Sequence, residues 1–328
     1  MSNLPTLVLI PGAWHRTTCY DPIIEILQGT HKLRCVAITL PSTTGNPDAT
    51  FKNDIDVVRK AISKETSQGR DVVVICHSYG GMVGNSAIKG FAKPQDPVPA
   101  KSGSGKKDKS SRSSTGYVVG HILIASGFTI TGLAFMDPFF GHPPPYWRIN
   151  KETGYGELTA DTRDLFYHDL PKDEGEYWVS QLTSQSLKSM FEGGEFAYAG
   201  WLHVPVWYLG TSEDHALPVV AQRINVGFAR EMGGHVEHRE LPASHSPFLS
   251  LPKETVEILV DAVEAFTGQQ VAGGKNVAKR ARPEESLPAV RLWQPSTWYR
   301  YGLPLGFGRL VGRCIMIYGW CKKLWRSG

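Results

Sequence analysis

The sequence predicts an α/β fold: a mostly parallel sheet of about six strands flanked by helices, with an inserted helical cap. Three observations predict it. β-Branched runs alternate with helical patterns through the first 270 residues, which implies right-handed crossovers and a parallel sheet covered on both faces. The run Val72-Val73-Val74-Ile75-Cys76 passes directly into His77-Ser78-Tyr79-Gly80-Gly81 and a helix-permissive stretch from Met82 to Lys89. Such an unbroken apolar run suits a strand buried on both faces. Finally, the segment from Phe128 to Gly200 interrupts the alternation, is too long for a connection, and has helical patterns of its own.

Taken in order, Leu7 to Ile10 is the first strand, followed by a loop from Pro11 to Thr18 and a helix near Pro22 to Gln28. Leu33 to Leu40 is the second strand. A helix from Asp54 to Ser67 sets Ile55, Val58 and Ile62 on one face at steps of three and four. Val72 to Cys76, Tyr117 to Ser126, Val204 to Gly210 and Val236 to Leu241 supply the remaining strands. The last core helix, Lys253 to Phe266, carries Val256, Leu259, Val260 and Val263 at helical spacing, and Thr267-Gly268 ends it as a glycine stop. The predicted core is therefore 1–127 with 201–268, and the cap is 128–200. Pro143-Pro144-Pro145-Tyr146-Trp147 gives the cap a stiff, aromatic hinge-like element. The cap is expected over the carboxyl ends of the strands, where open α/β sheets bind ligands.

Composition bounds the partners. With 328 residues, 41% hydrophobic and 20% charged, the chain suits one large soluble α/β domain, or two ordinary ones. Leu4 to Ile10 reads as a strand rather than a secretory leader, so a cytoplasmic location is expected. The five cysteines (Cys19, Cys35, Cys76, Cys314, Cys321) are odd in number, scattered, and without a CxxC pair. They suggest free thiols in a reducing compartment, not a disulfide framework or a zinc site.

The net charge of +4 divides into +9 from residue 270 onward and −5 before it. Residues 100–115 hold five Lys/Arg and one Asp among Ser and Gly, and read as a solvated, disordered loop rather than a nucleic-acid patch. Residues 269–328 form a basic, aromatic tail. Within it Val271 to Pro288 is read as a linker, and Trp293, Trp298, Tyr299, Tyr301, Trp320 and Trp325 interleave with seven Lys/Arg. Its longest apolar run, Cys314 to Cys321, has eight residues, far below the ~20 needed to cross a bilayer. Two readings stand: a poorly ordered appendage, or a segment lying on an anionic membrane surface.

The chemistry concentrates at strand ends. A serine between small residues, after a strand and before a helix, fits a nucleophile elbow, with Ser78 on the strained turn. Cys76 stands where the first small residue is usually glycine. A serine hydroxyl needs an imidazole to accept its proton, and the imidazole needs an acid to fix its tautomer. Asp214 follows the strand ending at Gly210, and His245 follows the strand ending at Leu241. The order Ser78, Asp214, His245 is the one an elbow serine requires. Glu213 is a rival acid and His215 a rival imidazole, while His235 and His238 read as surface residues and His77 as packing beneath the turn. An oxyanion needs two preorganised N–H donors, for which Tyr79 and Ala13 are the candidates. Gly12 and Trp14, with Phe139, Phe140, Tyr146, Trp147, Phe166 and Tyr167 of the cap, are the candidate substrate-binding and wall positions. The scattered histidines lack metal-site spacing, so no metal is expected.

Leu9-Ile10-Pro11-Gly12-Ala13-Trp14-His15, His77-Ser78-Tyr79-Gly80-Gly81-Met82-Val83, Asp214-His215-Ala216-Leu217-Pro218 and His245-Ser246-Pro247-Phe248-Leu249-Ser250 occur in that order. Over residues 4 to 268 the chain thereby resembles the α/β-hydrolase superfamily. The match is with its microbial and fungal branch, which is similar to plant methylesterases and hydroxynitrile lyases. The resemblance implies a Ser-His-Asp triad, a helical cap and no cofactor. The sequence departs from the family pattern at Pro11, where many members have His, and in the basic insertion and the tail. Lyases of this group carry Thr where Gly12 stands and Lys immediately after the catalytic His, where this chain has Ser246. Hydrolysis of a small to medium, largely apolar ester or lactone is therefore the expected chemistry, with specialised metabolism as its setting by analogy. A lyase or cyclase on the same fold, or a non-catalytic binding protein, is the alternative.

Overall fold

The computed structural model describes residues 4–94, 115–274 and 293–327. Nearly all of the basic segment at 100–115 and most of the linker at 271–288 lie outside the described residues. The chain begins β1 (Thr6–Ile10), α1 (Asp21–Gly29), β2 (Arg34–Ala37), α2 (Phe51–Thr66), β3 (Val72–His77), α3 (Gly80–Ala87) and β4 (Val118–Ile124). A cap follows: a hairpin of β5 (Trp147–Asn150) and β6 (Tyr155–Leu158), then α4 (Thr162–Tyr167), α5 (Lys172–Ser180) and α6 (Leu187–Phe191). The core resumes with β7 (Val206–Thr211), α7 (Val219–Glu231), β8 (Val236–Leu241), α8 (Pro247–Ser250) and α9 (Pro252–Thr267).

Six strands form one sheet in the order β2-β1-β3-β4-β7-β8, and all of its pairings are parallel. Every residue of β1 and β3 is buried, as an inner strand covered on both faces requires. Each such Val, Leu or Ile contributes roughly 1.5–3 kcal/mol on leaving water. The chain runs from β1 to the edge strand β2 and then back across to β3, so the strand order reverses between β1 and β3. The loops after these two strands flank the resulting crevice.

Local signals set the element ends. Thr50 caps α2: its Oγ1 accepts from the Asn53 amide at 3.2 Å while Asn53 Oδ1 accepts from the Thr50 amide at 2.9 Å. The helix therefore starts three residues before the expected Asp54. Gly268 closes α9 at φ 66°, the left-handed turn that glycine adopts most readily.

The cap carries the expected helices and adds an antiparallel hairpin at Trp147–Leu158. Over its described residues 293–327 the tail packs on the core, where a poorly ordered appendage was one of the two readings expected. After α10 (Pro295–Thr297) and a π-helical turn at Trp298–Gly302, α11 (Leu303–Ser327) lies along α7. Glycines let the two backbones touch: a Cβ on Gly308 would sit 2.0 Å from the Ile224 carbonyl oxygen, and one on Gly227 2.2 Å from that of Leu305. Arg223 of α7, 5% exposed, ties that helix and the turn before α11 to the sheet. It donates to Glu240 of β8 at 2.8 and 2.7 Å and to the Arg300 carbonyl at 2.7 Å. Its guanidinium also stacks 4.1 Å from the centre of the Tyr301 ring. The sequence signal for this packing was the small-xxx-small pair Gly308 and Gly312.

Candidate active site

The turn after β3 bends through Ser78 at φ 49°, a left-handed conformation that costs a non-glycine residue roughly 1–2 kcal/mol. Its neighbours hold it there. The Ser78 amide donates to the Ile124 carbonyl at 3.1 Å, and its carbonyl accepts from the Gly81 amide at 2.9 Å and Ser126 Oγ at 2.6 Å. The need for small residues is visible. A Cβ on Gly80 would lie 2.4 Å from the Pro11 carbonyl oxygen, and one on Gly84 only 2.1 Å from Cys76 Sγ. Gly84 thus makes the room that lets a thiol replace the usual glycine at the start of the motif. Burial holds that thiol well above its ordinary pKa, so Cys76 is packing rather than a nucleophile.

The loops after β7 and β8 meet the elbow at the same sheet edge. His245 Nδ1 donates to Asp214 Oδ2 at 2.8 Å, and both residues are buried. Asp214 is fixed from all sides. Oδ1 accepts from the Ala216 and Leu217 amides at 2.8 and 2.7 Å, and Oδ2 accepts from Thr211 Oγ1 at 2.8 Å and Gln222 Nε2 at 3.1 Å. These four bonds fix the orientation of the carboxyl group. With Nδ1 engaged, His245 has only Nε2 left to act as a base.

The rivals lie elsewhere. Glu213 is exposed. His215 is exposed too, stacked on His168 of the cap with ring centroids 4.1 Å apart. His235 is at the surface. His238, read as a surface residue, is buried at 3% exposure, because strand alternation turns it inward against Tyr208. His77 packs beneath the turn as expected, and its Nε2 also donates to the His245 carbonyl at 3.0 Å. Desolvation holds it well below the ordinary histidine pKa, so it stays neutral.

Ser78 and His245 open into one cavity of about 210 Å³ whose lining includes Ala13, Trp14, Tyr79, Phe139, Tyr146, Trp147 and Phe166. Gly12 does not line it; a Cβ there would meet His77 Nδ1 at 2.9 Å and Ser78 Cβ at 3.0 Å, so the glycine lets the β1 loop close onto the elbow. Phe140 points away at 89% exposure, because a left-handed φ of 53° turns the chain outward there. Tyr167 stands one layer back, behind His15.

Sequence reasoning missed the role of His15. Its Nδ1 donates to the Ala13 carbonyl at 2.7 Å, and its Nε2 accepts from the Tyr167 hydroxyl at 2.9 Å. Burial lowers its pKa to about 4, so it is neutral in the tautomer that both bonds need. A cap residue thereby braces the loop that carries the Ala13 amide. Beneath Tyr79, the hydroxyl donates to Asp54 Oδ2 at 2.9 Å, and the Ser42 amide donates to Asp54 Oδ1 at 3.0 Å. Burial raises the Asp54 pKa to about 6, opposed by these hydrogen bonds. Among the described residues no group of three or more His, Cys, Asp or Glu is placed to hold a metal ion.

The fold agrees with comparisons to known proteins. A curated relative, the alpha/beta hydrolase nvfD of Aspergillus novofumigatus, is 29% identical over 267 residues, covering 79% of this chain and 96% of that protein. A pyrethroid hydrolase from Sphingobium faniae JZ-2 superposes with a TM-score of 0.56 at 20% identity, covering 80% of this chain and 98% of that one. Tomato methylketone synthase I, solved with 2-tridecanone, superposes with a TM-score of 0.59 at 12% identity, over 80% of this chain and 99% of its own. The alpha/beta hydrolase family model spans residues 7–258, which takes in both sheet halves, the cap and every loop that meets at Ser78. On that match the chain belongs to the alpha/beta hydrolase family.

Proposed function

We propose that this protein is a cytoplasmic serine hydrolase that cleaves a carboxylic ester or lactone through an acyl-enzyme. The observation that carries the reading is His245, tied at Nδ1 to the buried carboxylate of Asp214 and open at Nε2 in the cavity that holds Ser78. Ser78 Oγ attacks the carbonyl carbon as Nε2 takes its proton. The tetrahedral oxyanion is held by the Tyr79 and Ala13 amides. Collapse expels the alkoxide, which the imidazolium protonates. Water, deprotonated by the same nitrogen, then releases the acid and restores the serine.

The substrate is small to medium and largely apolar, because most side chains of the cavity wall are apolar, with Phe128, Phe135, Phe139, Tyr146, Trp147 and Phe166 of the cap among them. A role in fungal or bacterial specialised metabolism is part of the same reading, by analogy with the branch that the chain resembles. A fluorophosphonate probe tests the mechanism, with the labelled residue mapped by peptide mass. Label on Ser78 and a burst of nitrophenol from a chromogenic ester are expected. Ser78→Ala should abolish both, with a fall in turnover of roughly three to six orders of magnitude and an unchanged circular dichroism spectrum. A Ser78→Ala variant with near-normal turnover would exclude the acyl-enzyme and leave a lyase or cyclase that uses the cavity without acylating serine.

A further inference from the structure

The packing of α11 on α7 leaves the other side of α11 uncovered, and that side is apolar. Leu303, Phe307, Leu310, Cys314 and Ile317 follow one another at steps of four, three, four and three, so they form one stripe along the helix. Leu303, Phe307, Leu310 and Ile317 are 55–60% exposed. Trp293 and Tyr299, just before the helix, are 79% and 78% exposed. An apolar stripe of this kind normally marks an interaction surface.

Charge decides what covers it. Between residues 286 and 328 the sequence has seven Lys/Arg and no Asp or Glu. Arg300 and Arg309 are exposed, and Arg313 reaches Glu231 of α7 at 2.6 Å while staying 67% exposed. Two copies meeting through this face would bring basic segments together with no acid of their own to offset them. An anionic lipid surface supplies the opposite charge, and its headgroup layer suits Trp and Tyr, which carry an apolar ring with a polar edge. Among the described residues no helix is long and apolar enough to span a membrane, so the contact argued here is with the surface alone.

We propose that α11 is a membrane-surface docking element. Its inner face is fixed to α7, and its outer stripe enters the headgroup boundary of an anionic bilayer while the flanking arginines contact lipid phosphates. The helix, about 37 Å long at 1.5 Å per residue, lies in the plane of the surface.

Sedimentation of the full-length protein with vesicles tests this without reference to Ser78. One vesicle set is phosphatidylcholine with roughly one-third phosphatidylserine, and the other is pure phosphatidylcholine. At least a tenfold preference for the anionic vesicles is expected, with release at about 1 M salt, where the Debye length falls to about 3 Å. The variant Phe307→Glu/Leu310→Glu should lose vesicle binding yet keep its melting temperature and ester turnover, because both side chains already face solvent. Equal binding by that variant, or no sedimentation of the native protein at low salt, would overturn the proposal. A concentration-dependent dimer abolished by the same variant, with no vesicle binding, would assign the stripe to a second copy and overturn it equally.

Discussion

Asp54 shows how one buried residue shapes the elbow from behind. It is fully buried, and its carboxyl pKa is raised from 3.8 to about 6, chiefly by desolvation. An acid with a raised folded-state pKa binds its proton more tightly when folded. Its contribution is therefore most favourable below about pH 4 and declines as pH rises toward 6, by about 3 kcal/mol at neutral pH. Asp54→Asn keeps an acceptor for the Ser42 amide and removes the buried charge. The melting temperature of the variant minus that of the native protein is expected to grow between pH 4 and 7. A difference that is flat with pH would show that Asp54 is not protonated in this range. The subtraction matters because buried neutral histidines such as His15 have lowered pKa values, and their stabilisation is lost in the opposite direction, as pH falls.

At the scale of elements, α7 links the tail to the site. Gln222 donates to Asp214, and its neighbour Arg223 holds Glu240 and the Arg300 carbonyl. The close approach of α11 depends on bare glycine surfaces. Gly308→Val would drive a side chain into the Ile224 carbonyl and force the helices apart. A loss of about 2–4 kcal/mol and a melting temperature lower by about 5–10 °C is expected by calorimetry. Gly306, where a Cβ would meet nothing within 4 Å, provides the control, since Gly306→Ala should be neutral or slightly stabilising.

For the whole molecule, a chain ending at Gly268 retains every strand of the sheet but loses the cover over Arg223 and Gly227. Treated as an appendage, the tail would be dispensable to the melting temperature. Packed as it is, its removal uncovers a buried ion pair and the contact face of α7. The truncated protein is expected to melt at least about 5 °C lower than the full chain. Equal melting temperatures would show that α11 adds nothing to the stability of the core.

The sequence by itself determined which runs are buried strands, where Ser78 must turn, and that Asp214 and His245 follow later strands. These are local or periodic properties. Unbroken β-branched runs, small residues at a sharp turn and a glycine helix stop each act over a few positions. The choice of Asp214 over Glu213 depended on the Ala216, Leu217, Thr211 and Gln222 donors that surround one carboxylate and not the other. The brace from Tyr167 through His15 to the Ala13 loop and the seating of α11 on α7 were likewise decided by tertiary structure. Each joins groups far apart in the chain, and a single sequence does not show which distant partner a hydrogen bond or a glycine face will meet.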